Sequence, residues 1–546
     1  MRKKDKGISL KKYEAHKCDH SPERIFTEYR EGINYKQNNE IFDTVRKNEN
    51  FFIGKQWEGV NAPNMDKPVF NILKRVTNFF IANLVSDDIG IRLKQFGVPE
   101  EEKQKIYMAG IRSEIEQIHE RSSFNKKMRS VVRDAAVTGD GAMHYYFDPQ
   151  IKTGRPDEEG MVTCEVISST DVIFGNPMSA DVQSQPYIII AVRRTRDSVI
   201  EELIAKGMTE HIDKVVADEA DNPNTQADDD NYSNKVTVLL KYFKQQGKVY
   251  FTKVIKNFVI QTVAETGMSL YPLAYMNWEA RRNSMHGVGV VDGLIPNQIA
   301  INKLGAMANH FIKQQAFPRI IYNESLLPGG WKGGMAPIAC KGDPQAVVGR
   351  ANVASDMSEF VPLFFEKFIE TTKELMGASD ASLGNVKPEN TSAIIAVQKS
   401  TTVPLELVKQ EYHQFIEDGV RIIIDMMGAY YGKRQMIVTD DNGDETLQSY
   451  DFGKLTDTVL TLNVDIGATA YWQEMTDVGT LDNLKTAGVI DDLTYVESLP
   501  AHVIPNRAKI VEKVKERVEA AEQAAQMPAP DEGGAINMTE AARPMI

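Results

Sequence analysis

The pattern of apolar and polar positions predicts a chain built from both helices and strands. The longest helical pattern runs from Thr391 to Tyr431, where apolar side chains recur at three- and four-residue steps and therefore share one helix face. Pro404 lies inside this pattern and removes one backbone hydrogen bond. We expect it to kink the helix and not to end it, because the apolar stripe resumes directly afterwards. The stripe consists of Val408, Tyr412, Phe415, Ile416, Val420, Ile423, Met427 and Tyr430.

Further helices are predicted in the first 140 residues. A mostly polar helix begins at Ser21-Pro22-Glu23 and runs to about Phe52, where Gly54 ends it. A second helical pattern covers Lys67–Val85. Two more helices are expected over Glu100–Arg121 and Phe124–Val137.

Residues 124–278 predict an α+β domain with an antiparallel sheet. A short helix capped by Asp197 interrupts the strands. The acidic segment 217–234 is expected to be an irregular, solvated loop, with an ion site as a minor possibility. The strands, recognised by their β-branched and aromatic residues, are Ala142–Phe147, Val162–Ile167, Val172–Phe174, Tyr187–Arg193, Val236–Phe243, Lys248–Ile255 and Phe258–Val263.

A helix over Leu294–Ala316 is predicted next, with Pro296 in its first turn. Residues 319–354 predict short strands and turns, and a second helix begins near Pro362 and ends before Gly377. The expected buried side of the first helix is formed by Ile295, Ile299, Leu304, Ala308 and Phe311, and its solvent side by Gln298, Asn302, Lys303, Lys313 and Gln314.

After Gly432 the pattern returns to strands and then to short helices. Together these elements predict an α+β fold in which helices hold the larger share. The predicted strands are Gln435–Thr439 and Val459–Val464, and the predicted helices are Trp472–Leu499 and Asn506–Gln526.

The charge distribution of the chain is uneven. Its 546 residues have a net charge of −13. Residues 432–546 hold 10 Lys and Arg against 20 Asp and Glu, whereas residues 1–20 hold 7 against 3. An acidic chain is a poor general binder of nucleic acid, because Lys and Arg provide the affinity for phosphate. It could still surround nucleic acid without gripping it.

Motifs for metal or nucleotide chemistry are incomplete. His16, Cys18 and His20 lack the second ligand pair of a structural zinc site, and three distant cysteines do not indicate a disulfide framework. The segment Gly287–Gly293 departs from the dinucleotide fingerprint, because Val290-Val291-Asp292 separate its second and third glycines, so a turn between strand and helix is favoured. The chain contains no GxxxxGK[ST] sequence. We expect no cofactor and no metal.

The order of these elements resembles the portal proteins, the head-to-tail connectors of tailed bacteriophages. Local sequences over roughly residues 25–500 carry the resemblance. Thr391-Ser392-Ala393-Ile394 matches the start of the family's long helix only in part, because a glycine is absent. The other similar segments are Phe51–Trp57, Lys67–Ile72, Asp134–Gly141, Tyr271-Pro272-Leu273, Asn283–Gly289 and Asn297–Asn302.

The resemblance implies a ring, typically of twelve subunits, whose channel carries double-stranded DNA during packaging and ejection. The implied parts are a basic arm (1–20), a wing (21–290), a stem helix (291–316), a clip (317–354), a second stem helix (355–377), a tunnel loop (378–390), a long kinked helix (391–431), wing return strands (432–471), crown helices (472–526) and a disordered tail (527–546).

The resemblance also implies site residues, partners and a location. The channel would be lined by Ser382, Asn385, Lys387 and Asn390 in the tunnel loop and by Lys303 and Lys313 on the stem; Arg319, Tyr322, Trp331 and Lys332 would dock the motor and tail proteins. The expected partners are further copies of the chain, double-stranded DNA, the terminase large subunit, the major capsid and scaffolding proteins, and the head-completion or tail adaptor proteins, with no membrane. The protein would be made in the bacterial cytoplasm and reside at a capsid vertex of the virion.

The sequence leaves two other classes open. One is a different virion component, such as a capsid or tail-tube protein. The other is an enzyme, although no nucleophile elbow, HExxH sequence or paired-cysteine site occurs in the chain. Without a P-loop, the motor that drives DNA is expected to be a partner.

Overall fold

The protein has an α+β fold. The computed structural model describes residues 19–63, 65–85, 89–95, 102–154, 159–228, 234–316, 321–330, 332, 338–343, 360–375, 405–439, 445–457, 460–466 and 479–498, together with 510, 511, 513–515 and 517. Most of the basic arm, the tunnel loop 378–390, residues 391–404 with Pro404, the turn 440–444 and the tail 527–546 lie outside these residues.

The N-terminal helical region consists of two helices and not one. Helix α1 (Pro22–Asn38) begins at Ser21, whose hydroxyl accepts a hydrogen bond from the Arg24 amide. Helix α2 (Ile41–Ile53) follows after Glu40, whose φ of 56° lies in the left-handed region and reverses the chain. The prediction of one continuous helix to Phe52 was therefore wrong, whereas its end at Gly54, with φ 98°, is confirmed.

Three helices follow, and the first begins later than predicted. Helix α3 (Ile72–Val85) begins after Asn71, whose Oδ1 accepts a hydrogen bond from the Lys74 amide at 3.0 Å. The side-chain cap therefore sets the start of the helix, and Val69 precedes it and is exposed. Helices α4 (Glu102–Arg121) and α5 (Phe124–Thr138) agree with the predicted positions.

The predicted antiparallel sheet is confirmed as two sheets. The first has the strand order β3-β2-β9 and the second the order β4-β5-β6-β7-β8, with antiparallel neighbours throughout. The strand β9 was not predicted, because it is short and directly follows Pro272. The strands are β2 (Asp140–Lys152), β3 (Glu159–Ile167), β4 (Val172–Phe174), β5 (Tyr187–Thr195), β6 (Lys235–Gln245), β7 (Lys248–Ile255), β8 (Phe258–Glu265) and β9 (Leu273–Asn277).

Two local predictions between these strands are corrected. Helix α6 (Arg196–Ala205) has Thr195 at its N-cap, so Asp197 lies within the first turn and is not the cap. The acidic segment contains helix α7 (Pro223–Asp228), which the loop prediction missed. Its Thr225 hydroxyl donates to Asp171 at 3.2 Å, and this contact ties the helix to the turn before β4.

The C-terminal half of the molecule contributes a long helix to the core. Helix α10 (Glu406–Tyr430) buries the predicted apolar stripe apart from Tyr430, which is partly exposed and stacks on Phe147. A Cβ atom at Gly419 would lie 2.3 Å from the Tyr145 hydroxyl, so glycine allows this tyrosine to pack against the helix. Each fully buried large apolar side chain stabilises the fold by about 1.5–3 kcal/mol.

Helices α8 (Val290–Ala316) and α9 (Phe360–Leu375) pack against each other. Between them lie the short parallel strands β10 (Ile321–Asn323) and β11 (Ile338–Cys340). The turn predicted for the glycine-rich segment 287–293 is confirmed before Val290. Pro296, however, lies inside α8, because the helix begins at Val290 and not at Leu294.

The strands after α10 pair both locally and over a long distance. Strands β12 (Lys433–Thr439) and β13 (Glu445–Asp451) form an antiparallel hairpin. Strand β14 (Leu460–Ile466) pairs with β1 (Ile89–Gln95), which was not predicted. Residues 479–486 are helical, and helix α11 (Asp492–Ser498) follows. Within the described residues, no helix is both long and apolar enough to cross a bilayer.

Candidate functional site

Helix α8 is the element that connects the α+β region to the residues predicted for the channel and the clip. At the start of the helix, the Gly289 amide donates a hydrogen bond to the Asp292 carboxylate at 3.2 Å. Burial raises the pKa of Asp292 above its ordinary value. The first half of α8 lies among other elements, and its second half carries exposed side chains. The two halves are therefore described separately.

A buried amide network joins the first half of α8 to the start of α3. We call Gln56, Asn71, Gln298 and Asn302 the root network. The Gln298 Oε1 accepts hydrogen bonds from the amides of Ile72 and Leu73, at 3.1 and 3.2 Å. These amides belong to the first turn of α3, where the helix itself supplies no acceptor. A side chain of α8 therefore caps α3.

The other polar atoms of the root network are also paired. Gln298 Nε2 donates to the Phe70 carbonyl at 2.6 Å and to Asn302 Oδ1 at 3.1 Å. Asn302 Nδ2 donates to Gln56 Oε1 at 2.6 Å. Asn71 Nδ2 donates to the Phe52 carbonyl at 3.1 Å. Because each buried amide is satisfied, the network fixes the position of α8 relative to α2 and α3.

The root network corrects the predicted solvent side of α8. Gln298 and Asn302 are each only 2% exposed, whereas they were expected in solvent. The sequence does contain an indication of this burial. Val291, Ile295, Gln298 and Asn302 are separated by four, three and four residues, so the two amides share a helix face with apolar residues. Polarity alone led to the wrong assignment.

A buried carboxylate ties the beginning of β2 to the turn before α8. Asp140 Oδ1 accepts hydrogen bonds from Asn277 Nδ2 at 2.8 Å and from the Gly287 amide at 2.7 Å. Asp140 Oδ2 accepts one from His286 Nδ1 at 2.7 Å. Burial, together with the neighbouring Asp140, raises the pKa of Tyr275 well above its ordinary value. The carboxylate therefore holds the start of β2, the end of β9 and the turn before α8 together.

Glycines allow the same segments to approach closely. A Cβ atom at Gly289 would lie 2.8 Å from the Ala136 carbonyl oxygen and 2.9 Å from that of Val137. A Cβ atom at Gly287 would lie 2.8 Å from the carbonyl oxygens of Glu279 and Gly139. Gly139 itself has a φ of +100° at the end of α5. The glycine cluster thus serves backbone packing between α5 and the turn before α8.

An apolar surface covers the second half of α8 and its neighbours. Phe70 meets Phe365 of α9 with ring centroids 5.7 Å apart, and so joins the segment before α3 to α9. Met307 and Ile312 on α8 are 62% and 54% exposed, and Leu363 on α9 is 62% exposed. We call the whole set the apolar surface: Val60, Met65, Val69, Phe70, Met307, Ile312, Leu363 and Phe364.

The predicted stem lysines lie on this part of the molecule. Lys303 is exposed on α8. Lys313 is also exposed, but its Nζ lies 2.6 Å from the Asp66 carboxylate. Because that pair is solvent-exposed, it contributes about 0–1 kcal/mol, and it offsets the positive charge of Lys313. The two lysines therefore differ in the charge that they present to solvent.

The predicted docking residues are described only in part. Tyr322 lies in β10, where its backbone carbonyl accepts a hydrogen bond from Cys340 Sγ at 3.4 Å, and Lys332 is exposed. Leu326 and Leu327 are exposed in the turn after β10. Arg319 and Trp331 lie outside the described residues, as do Ser382, Asn385, Lys387 and Asn390 of the predicted tunnel loop.

Within the described residues, no group of three or more His, Cys, Asp or Glu side chains is placed to hold a metal ion. Of the histidines considered for a metal site, His20 stacks on Phe243 at 4.1 Å, and His16 lies outside the described residues. No protein-family model matches the chain. No curated protein matches it either.

Proposed function

We propose that the chain is the subunit of a portal ring of a tailed bacteriophage, in which α8 and α9 form the stem around a channel for double-stranded DNA. The ring would occupy one capsid vertex of the virion. The segment 317–354 would dock the terminase large subunit during packaging and the head-completion or tail adaptor proteins afterwards. The major capsid and scaffolding proteins would surround the ring during assembly.

The apolar surface is the observation that carries this proposal. Large apolar side chains are exposed on α8, on α9 and on the segment before α3, which the contacts of Phe70 with Phe365 and of Lys313 with Asp66 bring together, although the subunit has well-developed cores elsewhere. Large apolar side chains exposed on neighbouring elements are typical of protein–protein contacts. Two adjacent helices with such residues can pack against the same helices of a neighbouring copy. A head-to-tail contact generates a closed ring when its repeated rotation adds up to a full turn, and an open filament when it does not.

The buried contacts of the first half of α8 support the same proposal. The segments that resemble the portal family contact one another: Gln56 and the backbone amides of Phe70 and Ile72 form hydrogen bonds with Gln298 and Asn302. Asp140 contacts the segment that contains His286. A stem helix anchored in this way would transmit force between the wing and the channel without changing its position.

Charge is compatible with a conduit for DNA. The subunit has a net charge of −13, so a ring of subunits would repel the duplex from its walls and keep it centred. Exposed Lys303 would reduce that repulsion locally, and Lys387 of the tunnel loop is expected to do the same. Lys313 would contribute less, because Asp66 offsets its charge.

Native mass spectrometry and particle images of the purified protein test the proposal. We expect closed rings with a central hole. Ile312→Asp should reduce the ring population at least tenfold, because a charge would replace an apolar contact at the interface between subunits. The matched control is Ile204→Asp, on α6, where the isoleucine is 52% exposed and lies outside the apolar surface. It should assemble normally.

Three results would contradict the proposal. Only monomers and dimers at several salt concentrations would exclude a ring. Closed shells or stacked tubes would indicate a capsid or tail-tube protein. Hydrolysis of a nucleotide or ester by the pure protein would indicate an enzyme.

A further inference from the structure

A second surface of the subunit carries exposed cations on two neighbouring helices. The exposed Lys126 and Arg129 and the half-buried Arg133 are separated by three and four residues and therefore lie along one side of α5. Lys74 and Arg75 are exposed in the first turn of α3. We call these five residues the basic face.

The cations of the two helices belong to the same surface. Lys74 Nζ lies 5.6 Å from the centroid of the Phe52 ring, and the Arg133 guanidinium carbon lies 5.1 Å from it. Phe52 is buried, and both cations lie over its ring. The charges on α3 and α5 can therefore act on one ligand.

The basic face is poorly neutralised. Helices α3 and α5 carry six Lys and Arg and one Asp, whereas the whole chain carries 63 Lys and Arg and 76 Asp and Glu. Arg133 is paired with Glu49 at 2.5 Å and with Asp134 at 3.0 Å. Across the part of the chain that the structure describes, Lys74, Arg75, Lys126 and Arg129 form no ion pair.

The chemistry around these cations favours nucleic acid over a protein partner. Among the described residues of α3 and α5, no large apolar side chain is strongly exposed. A stable protein–protein contact needs an apolar centre, which the apolar surface has and the basic face lacks. Contact with phosphates needs only cations and polar groups, and Ser130 and Asn78 supply exposed polar groups beside the cations.

We propose that the basic face binds the phosphate backbone of double-stranded DNA outside the channel. The stripe from Lys126 to Arg133 is about 10 Å long. It can contact several phosphates at once, because a duplex carries one charge per about 1.7 Å of its axis. The contact would be independent of base sequence. It goes beyond the proposed function and does not require a ring, so the two can fail separately.

Fluorescence anisotropy with a labelled duplex of about 30 base pairs tests the inference at several salt concentrations. The double variants Lys126→Gln/Arg129→Gln and Lys74→Gln/Arg75→Gln each remove two charges from the basic face. We expect each to weaken binding about tenfold to a hundredfold and to reduce the slope of log K against log salt by about 1–2. The variant with all four changes should lose measurable binding.

The matched control is Arg30→Gln/Lys256→Gln, which removes two exposed charges from α1 and from the turn between β7 and β8. Its affinity should stay within about twofold of the unaltered protein, because non-specific affinity depends on cations that contact phosphate. Equal losses in the control and the test variants would overturn the inference. So would unchanged DNA affinity in the test variants. Native mass spectrometry of the same proteins reports assembly, so a defect confined to assembly would identify the basic face as a subunit contact and also overturn the inference.

Discussion

The two halves of helix α8 differ in the kind of side chain that they bury and expose. The first half places the polar side chains of Gln298 and Asn302 in the interior, and the second half exposes the apolar side chains of Met307 and Ile312. The buried amides are tolerated because every one of them has a partner within the same chain. Met307 and Ile312 are exposed in the subunit, and under the proposed function a second copy covers them.

We infer that the two halves of α8 have different roles. The first half specifies where the helix sits in the subunit, because amide geometry allows few arrangements. The second half exposes Met307 and Ile312, which the proposed function assigns to the contact between subunits. Substitutions in the first half should therefore change the stability of the subunit, and those in the second half should change its association.

Gln298→Leu should have the largest effect on the subunit. It removes the side-chain acceptor of the buried Leu73 amide and leaves that amide unpaired, and it also removes hydrogen bonds to the Ile72 amide and the Phe70 carbonyl, which keep only their bond to each other. We expect the free energy of unfolding to fall by about 3 kcal/mol, measured by urea denaturation.

Lys303→Leu provides the control for that experiment. It places the same side chain on the same helix at an exposed position, and it should change the free energy of unfolding by less than about 0.5 kcal/mol. Equal effects of the two changes would show that the root network does not position α8.

Gly289→Ala should have an intermediate effect. The new methyl group would meet the carbonyl oxygens of Ala136 and Val137 at 2.8 and 2.9 Å, and these backbone atoms cannot move without shifting α5. We expect a loss of about 2 kcal/mol and a lower melting temperature in calorimetry.

The same substitution at Gly293 is the matched control. A Cβ atom there meets nothing within 4 Å, and the residue lies inside α8. Gly293→Ala should therefore stabilise the subunit by about 0.5–1 kcal/mol, because alanine favours the helical backbone. A loss at Gly293 equal to that at Gly289 would contradict the close-approach explanation.

Met307→Gln should have the smallest effect on the isolated subunit. The side chain is 62% exposed and both residues have similar helix propensity, so the free energy of unfolding should change by less than about 0.5 kcal/mol. Ring formation should nevertheless weaken, as seen in native mass spectra at low protein concentration. A stability loss like that of Gln298→Leu would remove the contrast between the two halves.

Much of the secondary structure could be predicted from local patterns. The apolar stripe of α10 and the strands β4 to β8 were recognised because their spacing and composition are local properties of the chain. The break between α1 and α2 at Glu40 was missed. A left-handed backbone conformation is hard to predict from sequence when the residue is not a glycine. The pairing of β1 with β14 was missed because its partners are far apart in the chain.

The candidate site was less accessible to sequence analysis. The resembling segments contained Gln56, Asp140, His286, Gln298 and Asn302, but nothing in their spacing indicated which would meet. The basic face was also missed, since Lys74 and Lys126 belong to helices that are separated by α4. Only the contact of both Lys74 and Arg133 with Phe52 shows that cations of the two helices are neighbours.

The sequence by itself determined most of the helices and strands, the acidic charge of the chain and the absence of a P-loop. These follow from periodicity and composition, which act over a few residues or over the whole chain without reference to shape. The tertiary structure alone decided that Gln298 is buried and Met307 exposed on one helix. Burial depends on which distant segments cover a residue, and here the cover of Gln298 comes from Phe70 and Ile72, more than two hundred residues earlier in the chain.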